Sequence, residues 1–145
     1  MNSTIDRLVG ERLADSDHRY TAARSRVVRA LQKASGPLST AELYEAVDRE
    51  IPLSSLYRTV SVLEGSGIVA PHHGAKGVTR YELDEWLTGH HHHIVCVGCG
   101  SVEDLHFDDR QEDRFEALVT EVVDAAGFKP SGHALDIEGW CVACL

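Results

Sequence analysis

The stretch SSLYRTVSVLEGSGIVAPHHGAKGVTRYEL, residues 54–83, decides the fold of the first part of the chain. Its first half has the periodicity of a helix with one apolar side. The residues of that side are Leu56, Val60 and Leu63. Its second half has the pattern of two short strands, at 68–70 and 78–83, joined by a glycine-flanked turn. The stretch therefore predicts a helix followed by a two-stranded wing.

Two more helices are expected before this stretch. Thr21 can cap the first, and Gly36-Pro37 stop it. The capping box Ser39-x-x-Glu42 starts the second. The helix of the quoted stretch can start at Ser54 or Ser55. Three helices followed by a wing predict a winged helix-turn-helix.

The outward side of the third of these helices is polar and carries no acidic residue. We expect it to enter the major groove of double-stranded DNA. Residues 18–41 add a basic stretch without a single acid, which is expected to contact phosphates together with Lys76 and Arg80 of the wing. The predicted DNA-binding residues are Ser54, Ser55, Tyr57, Arg58, Ser61, Arg19, Arg24 and Lys76.

The composition is that of a globular protein with an uneven charge distribution. The 145 residues carry a formal charge of −9, and 43% of them are hydrophobic, which argues against disorder. Residues 1–88 hold 11 Lys and Arg against 12 acids, whereas residues 89–145 hold 3 against 11. The amino terminus has no apolar leader, and a short amphipathic helix over 4–14 is expected to be an arm or a lid. No apolar stretch could span a bilayer, so we expect a cytoplasmic protein without a membrane partner.

The chain changes character near residue 88, and we expect a hinge over 85–90. The part that follows is expected to form a strand through the four histidines to Cys96, a strand over 102–107, a helix over 110–126 capped by Asp108 or Asp109, and a last strand over 133–137. The expected fold class is therefore α+β. A winged-helix DNA-binding domain over 1–84 precedes the hinge, and a small α/β domain over 91–145 follows it.

The four cysteines form two pairs with the spacing of metal ligands. Cys96-x-x-Cys99 and Cys141-x-x-Cys144 account for every cysteine in the chain. In a cytosolic protein two such pairs indicate a tetrahedral four-thiolate site for structural Zn²⁺. The alternative, a thioredoxin-like redox pair, requires a βαβ context and leaves the second pair unexplained. We therefore expect the metal to join the two ends of the second domain.

The four consecutive histidines predict parts of two further metal sites. A strand sends successive side chains to opposite faces, so His91 and His93 share one face while His90 and His92 share the other. Each pair can supply two imidazoles to one ion. Residues that could complete such sites are Glu82, Asp104, Glu112, Glu116 and His133. A solvated polar patch is the alternative interpretation of the run.

Taken in order, these motifs resemble the ferric uptake regulator family of bacterial metal-dependent repressors. The resemblance covers nearly the whole chain. It rests on SSLYRTVSVLEGSGIV, RYEL, HHHHIVCVGCG, a helix, a single histidine and CVAC. It implies a homodimer that binds pseudo-palindromic operator DNA when a sensed divalent metal is bound, with the second domain serving dimerisation. It implies neither a small-molecule substrate nor catalytic residues.

By position, the resemblance also implies two histidine-containing metal sites. The regulatory site, at the hinge, would consist of Glu82, His91, His93 and Asp104. The second site, inside the dimerisation domain, would consist of His90, His92, Glu116 and His133, with Glu112 as the fallback for the carboxylate. With only nitrogen and oxygen ligands, the regulatory site suits Fe²⁺, Mn²⁺, Ni²⁺ or Zn²⁺.

The chain departs from the family pattern in two places. Many members have a histidine ligand just before the third helix, where this chain has Pro37-Leu38. His18 and His72 are the possible substitutes. Zinc-sensing members usually bring a cysteine to the hinge site, and none is left over here.

We therefore expect a metal-responsive transcriptional repressor and no enzyme. A peroxide-sensing repressor of the same fold is one alternative. A metal chaperone or store, a metalloenzyme and a metal-independent DNA-binding protein with structural zinc are the others. Against an enzyme, the sequence has no HExxH and no nucleophile with an evident base partner.

Overall fold

The computed structural model describes residues 3–145. Its helices and strands are, in chain order, α1 (Thr4–Asp15), α2 (Ala22–Lys33), α3 (Thr40–Ala46), α4 (Leu53–Gly65), β1 (Val69–His73), β2 (Thr79–Leu83), α5 (Glu85–Thr88), β3 (His92–Cys96), β4 (Val102–Leu105), α6 (Asp109–Asp124) and β5 (Asp136–Gly139). Single 3-10 turns cover Ala75–Gly77 and Val142–Cys144. Within residues 3–145, no helix combines the length and the apolar character needed to cross a membrane.

The predicted helix caps are largely present. The Thr21 hydroxyl accepts a hydrogen bond from the Arg24 amide, and Ser39 and Glu42 form a capping box at the start of α3. The predicted start of α4 at Ser54 or Ser55 was wrong. This helix begins at Leu53 after Pro52, whose φ of −53° is already close to helical, and no side chain caps it.

The hydrophobic core of the first domain is built from α1 to α4 and the wing. Its largest fully buried side chains include Leu13, Leu43, Leu56, Leu63 and Ile68. The interpretation of the first helix as an arm or a lid was wrong, because Val9 and Leu13 of α1 are fully buried in this core. Asp6 of the same helix accepts a hydrogen bond of 2.7 Å from the Tyr20 hydroxyl. The first helix is therefore an integral part of the domain.

The wing is an antiparallel hairpin whose register runs from Val69↔Leu83 to His73↔Thr79. Its first strand continues three residues beyond the predicted end at 70. The turn that joins the strands has left-handed backbone at Lys76 and Gly77, with φ of 64° and 68°. This register places Glu82 near the end of the wing, directly before the connection to the second domain.

The second domain is a three-stranded sheet with the strand order β4-β3-β5. β3 pairs antiparallel with β4 and parallel with β5. The predicted last strand over 133–137 lies three residues too early, because the pairing with β3 begins at His93↔Asp136 and continues to Cys96↔Gly139. His133 therefore lies before β5, in a segment without regular structure.

The two domains contact each other directly. The Asp104 amide of β4 donates a hydrogen bond of 2.8 Å to the Ser35 carbonyl, which follows α2. At Gly36 the backbones lie so close that a Cβ atom would overlap the Val102 carbonyl. Lys76 of the wing donates to the Gly98 carbonyl, beside Cys99.

Most of the predicted hinge over 85–90 is helical. Residues 85–88 form α5, which is capped by Asp84. The Trp86 indole donates a hydrogen bond of 2.7 Å to the Gly67 carbonyl, and the Arg12 guanidinium lies over the same ring. Leu87 packs against the core of the first domain. Only Gly89, with φ of 87°, His90 and His91 separate α5 from the start of the second sheet.

Candidate metal centres

The four cysteines form one cluster in the second domain, which we call the cysteine cluster. Their Sγ atoms all lie within 4.8 Å of one another. A tetrahedral site with Zn–S bonds of about 2.3 Å has an S–S spacing of about 3.8 Å, and the Cys99 and Cys141 Sγ atoms are 3.9 Å apart. The spacing and the soft thiolate ligands fit Zn²⁺.

Backbone amides prepare part of this cluster for metal binding. The Cys141 amide donates a hydrogen bond of 3.3 Å to the Cys96 Sγ, and this contact is the main cause that lowers the pKa of Cys96 to about 6. Contacts with Ser101 lower the pKa of Cys99. The neighbouring Cys141 raises the pKa of Cys144 to about 12 in the metal-free chain. A metal ion is the partner that lets all four sulfurs be thiolates together.

A second cluster, the hinge cluster, lies between the wing and the second sheet. It consists of Glu82 from β2, His91 directly before β3, His93 from β3, and Asp104 from β4. Glu82 Oε2 is 3.0 Å from His91 Nε2 and 2.9 Å from His93 Nε2. Asp104 Oδ1 is 3.4 Å and 3.7 Å from the same two nitrogens. The structure thus brings together the four residues implied for the regulatory site.

The spacing in the hinge cluster fits a divalent cation. Nitrogen and oxygen ligands at about 2.1 Å from a metal lie about 3.0 to 3.4 Å apart in octahedral or tetrahedral geometry. In addition, the buried Asp104 Oδ1 has no hydrogen-bond partner within the described part of the chain. A buried acceptor without a partner is costly unless a cation or a water molecule satisfies it.

Glu82 and the two histidines of this cluster stabilise each other's charged forms. Burial raises the pKa of Glu82, but hydrogen bonds from His93 and His91 outweigh burial and hold that pKa below its usual value. Burial lowers the pKa values of His91 and His93, and their contacts with Glu82 raise them further than burial lowers them. Burial, followed by the charge of Glu82, raises the pKa of Asp104. Protons and metal ions therefore compete for the same ring nitrogens.

A third cluster, the internal cluster, lies within the second domain on the opposite face of β3. Its members are His90, His92, Glu112 and His133. His90 Nε2 and His133 Nε2 are 3.1 Å apart, and Glu112 lies 2.7 Å from His133 and 3.0 Å from His92. Imidazole nitrogens turned toward one point together with a carboxylate fit a divalent cation.

The carboxylate of the internal cluster corrects the sequence prediction. We expected Glu116, with Glu112 as the fallback, and the structure places Glu112 in the cluster. The two residues lie one turn apart on the same side of α6. The turn that carries Glu112 is the one beside His92 and His133. Glu116 instead lines a small cleft further along α6, beside Val119 and Gly132.

The outer nitrogens of three cluster histidines, His90, His91 and His93, also have partners, which the sequence did not reveal. His91 Nδ1 is 3.2 Å from the Gly89 carbonyl, and His90 Nδ1 is 3.1 Å from Glu85 Oε1 of α5. His93 Nδ1 is 3.4 Å from Asp136 Oδ1. Such contacts keep the other nitrogen, Nε2, turned toward the cluster.

Neither histidine considered as a substitute for the missing ligand of the first domain enters the hinge cluster. His18 lies in an exposed segment after α1. His72 Nε2 lies 3.1 Å from Asp136 Oδ2 of the second sheet. His106, whose ring centroid is 5.7 Å from that of His91, lines a cleft with Asp104 and was not singled out by the sequence.

The predicted DNA-contacting residues of α4 lie on its outer side. Tyr57 is 56% exposed, Ser54, Arg58 and Ser61 are exposed, and Ser55 is half-buried. In the basic stretch, Arg19 is exposed, and Arg24 is half-buried and donates a hydrogen bond to the Arg19 carbonyl.

The two wing cations that we expected to contact phosphates differ in their surroundings. Lys76 is engaged with the Gly98 carbonyl of the second domain. Arg80 is buried, and its Nε donates a hydrogen bond of 3.1 Å to Glu42. Arg80 is therefore held inside the protein, whereas the Lys76 side chain remains exposed at the surface.

Known proteins share much of this sequence. The sequence profile of the ferric uptake regulator family matches residues 15–138. The chain belongs to the ferric uptake regulator family. It is 33% identical over 136 residues to the ferric uptake regulation protein of Neisseria gonorrhoeae, which covers 91% of this chain and 90% of that protein.

Two other members of the ferric uptake regulator family broaden this comparison. The Helicobacter pylori ferric uptake regulator, whose structure is described as having three functional metal-binding sites, superposes with a TM-score of 0.74 at 27% identity, covering 99% of this chain and 97% of that one. The peroxide operon regulator of Bacillus subtilis is 27% identical over 137 residues, covering 92% of this chain and 89% of that protein. The chain is therefore a regulator of metal or peroxide response, and its homologues are transcription regulators rather than enzymes.

Proposed function

We propose that the chain is a transcriptional repressor that binds operator DNA as a homodimer when a divalent metal occupies the hinge cluster. The observation that carries this proposal is the origin of the ligands. Glu82 belongs to the wing of the first domain, and His91, His93 and Asp104 belong to the second sheet, yet their ligand atoms lie 2.9 to 3.7 Å apart. A site built in this way can exist only when the two domains are closed against each other.

A metal ion in the hinge cluster would fix the orientation of the two domains. A bound cation supplies the positive charge that lets Glu82 and Asp104 approach each other without protons on the histidines. Glu82 then keeps the wing, and with it α4, at a fixed orientation relative to the second sheet. Metal binding can shift the equilibrium only by its preference for the closed arrangement. A coupling free energy of about 1–3 kcal/mol, or about 5- to 150-fold in DNA affinity, is typical.

The outer side of α4 supports DNA recognition. Arg58, Tyr57 and the serines of this side are solvent-exposed, and the basic residues of α2 lie in the same domain. In two copies of the chain, the fixed domain orientation would set the distance between two such helices. Half-sites of operators lie about 34 to 36 Å apart, or a multiple of that distance. A DNA-binding repressor acts where the chromosome is, so we place it in the cytoplasm.

The second domain supports a homodimer. Ile94 and Ile137, which are register partners on β3 and β5, are 38% and 47% exposed, and Trp140 beside them is 64% exposed. The apolar side of α6 is uncovered as well, with Leu118 and Val122 more than half exposed. β5 is an edge strand of its sheet. A second copy of this domain would bury these apolar side chains and pair the edge.

The ligand chemistry limits the metals. The cysteine cluster is assigned to structural Zn²⁺ because all four ligands are sulfur. The hinge cluster has only imidazole and carboxylate ligands, so we propose Fe²⁺, Mn²⁺, Ni²⁺ or Zn²⁺ as its regulatory ion. Two observations favour peroxide sensing as the second candidate function. The hinge cluster offers imidazole and carboxylate ligands, a set that suits Fe²⁺, and the chain is similar to a peroxide operon regulator.

The test compares Glu82→Ala with Glu45→Ala, an exposed glutamate of α3 whose surface pair with Arg49 contributes little. DNA selected from a random pool with metal-loaded protein serves as the ligand, and affinity is measured by anisotropy during titration with Mn²⁺ and Fe²⁺. We expect Glu82→Ala to lose the metal-dependent gain of about 5- to 150-fold and to keep its dimer and its zinc. A wild-type response of Glu82→Ala would refute the regulatory role of the hinge cluster.

A further inference from the structure

A carboxylate of β5 connects a ligand of the hinge cluster to the wing. Asp136 Oδ1 lies 3.4 Å from His93 Nδ1, and Asp136 Oδ2 lies 3.1 Å from His72 Nε2. Asp136 and His93 are register partners on parallel neighbouring strands, so their side chains lie on the same face of the sheet. His72 comes from β1 of the other domain.

The two nitrogens of His93 face different partners. Nε2 lies 2.9 Å from Glu82 Oε2, inside the hinge cluster, whereas Nδ1 faces Asp136. A carboxylate on the outer nitrogen of a metal-binding imidazole keeps the proton there and leaves the inner nitrogen free to coordinate. His91 has only a backbone carbonyl, that of Gly89, in the equivalent position. Asp136 is thus the charged outer partner of the hinge histidines.

His72 is held against this pair by packing as well as by its contact with Asp136. Its side chain is only 10% exposed, and its ring meets that of His93 edge to face at a centroid distance of 4.4 Å. The three residues line one cleft between the wing and the sheet, together with Glu82. If the wing moved away from the sheet, His72 would leave Asp136, and the carboxylate would lose one of its two partners.

We propose that Asp136 is a positioning residue that orients His93 for metal binding and, through His72, makes this orientation depend on the docking of the wing. The proposal rests on the proposed function, because it takes the hinge cluster to be a metal site. It adds a second link between the domains, which runs through the hydrogen bond between His72 and Asp136 and is separate from the link through Glu82. Closure of the wing and orientation of His93 then reinforce each other.

A metal ion held by His72, His93 and Asp136 themselves is the competing interpretation. Their ligand atoms are close enough for such a site. It would require His93 to bind metal through both ring nitrogens, because Nε2 already faces the hinge cluster. The outer-partner role uses the same distances and leaves one metal on each side of β3, which is the simpler arrangement.

The test uses full-length, zinc-loaded protein and measures binding of Mn²⁺ by calorimetry and the visible absorption spectrum of Co²⁺ in the hinge cluster. The variants are Asp136→Asn, Asp136→Glu and His72→Phe, with Glu138→Gln as the matched control on the same strand. We expect Asp136→Asn to weaken Mn²⁺ binding about 10- to 100-fold and to change the Co²⁺ spectrum. Asp136→Glu should restore part of the affinity, and Glu138→Gln should behave as wild type.

His72→Phe should weaken Mn²⁺ binding less than Asp136→Asn, and the double variant should be no weaker than Asp136→Asn alone, because both residues act through one carboxylate. Wild-type affinity in Asp136→Asn, with zinc content and thermal unfolding unchanged, would overturn the proposal. Loss of one bound metal equivalent in His72→Phe would overturn it in favour of a separate metal site. If Glu82→Ala also binds Mn²⁺ with wild-type affinity, the proposed function fails. If only the Asp136 variants bind Mn²⁺ with wild-type affinity, the inference about Asp136 fails and the proposed function stands.

Discussion

The cysteine cluster and the hinge cluster differ in the origin and the chemistry of their ligands. All four cysteines come from the second domain and are soft thiolate ligands, whereas the hinge cluster combines a glutamate of the wing with ligands of the second sheet. A metal in the cysteine cluster would therefore stabilise one domain, whereas metal binding to the hinge cluster would depend on the relative position of two domains. The difference teaches that one strand can serve both a cluster within one domain and a cluster between two domains, since β3 ends at Cys96 and begins beside His91.

The largest effect is expected from breaking the cysteine cluster. Cys96→Ser removes a buried ligand, and because the metal contributes directly to folding, we expect complete loss of bound zinc and unfolding of the second domain. Elemental analysis and calorimetric unfolding measure both effects. Glu82→Ala is the matched comparison, since it removes a hinge ligand and should retain one zinc per chain. Retention of zinc and of native unfolding in Cys96→Ser would contradict the structural assignment.

The next largest effect is expected from pH, which should change metal binding at the hinge cluster. The pKa values of His91 and His93 are raised, so their contacts with Glu82 stabilise the metal-free closed form below the ordinary value of about 6.5 and are lost as pH rises through the raised values. The lowered pKa of Glu82 keeps these contacts intact until pH falls through that value. Metal binding displaces the histidine protons. As pH falls below the raised pKa values, the affinity of the hinge cluster for metal should therefore fall about tenfold per pH unit for each histidine that is protonated.

Titration with Mn²⁺ at pH 8 and pH 6 measures this dependence, and calorimetry in buffers of different ionisation enthalpy counts the released protons. The zinc content of the cysteine cluster, determined in the same samples, is the internal control. Equal Mn²⁺ affinity at both pH values would show that His91 and His93 do not lose protons on binding.

A smaller effect is expected from separating the domains without touching a ligand. In Gly36→Ala the new methyl group would overlap the Val102 carbonyl and lie 2.8 Å from the Glu103 Cα, so the domains must shift apart. Overpacking of this kind costs about 1–3 kcal/mol, which should weaken Mn²⁺ binding at the hinge cluster and leave the cysteine cluster unchanged. Gly65→Ala is the control, since nothing lies within 4 Å of its added Cβ. Equal hinge affinities of the two variants would show that domain docking does not support the site.

The smallest effect concerns the DNA-facing side of α4. If Arg58 contacts a phosphate, Arg58→Ala should weaken binding to all sequences and lower the salt slope by about one unit. If it reads a base, the loss should be about 1–3 kcal/mol and confined to one operator position. Anisotropy at several salt concentrations distinguishes the two, and Mn²⁺ affinity at the hinge cluster should not change. Unaltered DNA affinity and salt slope would exclude Arg58 from the interface.

The sequence predicted the local structure better than the contacts between elements. Helical periodicity, the capping box at Ser39 and the alternation of side chains along β3 are local properties, and the structure shows each of them. Glu112 and Glu116 could not be separated in this way, because both lie on the same side of α6 and the choice depends on how that helix is placed against β3. The burial of α1 was missed for a similar reason.

The contacts across the domain boundary could not be predicted either. Asp136 and His72 lie 64 residues apart and meet only because the wing packs against the second sheet. The same packing engages Lys76 and Arg80, which in the sequence have the pattern of free cations. These residues show where a single sequence stops being informative.

The anchoring of α5 limits how the domains can move when the hinge cluster is empty. Trp86 and Leu87 fix this helix to the first domain, so the connection to the second sheet consists of Gly89, His90 and His91. Three residues span about 11 Å at most. The first domain can therefore change its orientation while it stays within this distance of the second domain, and reclosure carries only a small entropic cost. A release of metal would change the angle between the domains and leave the length of their connection unchanged.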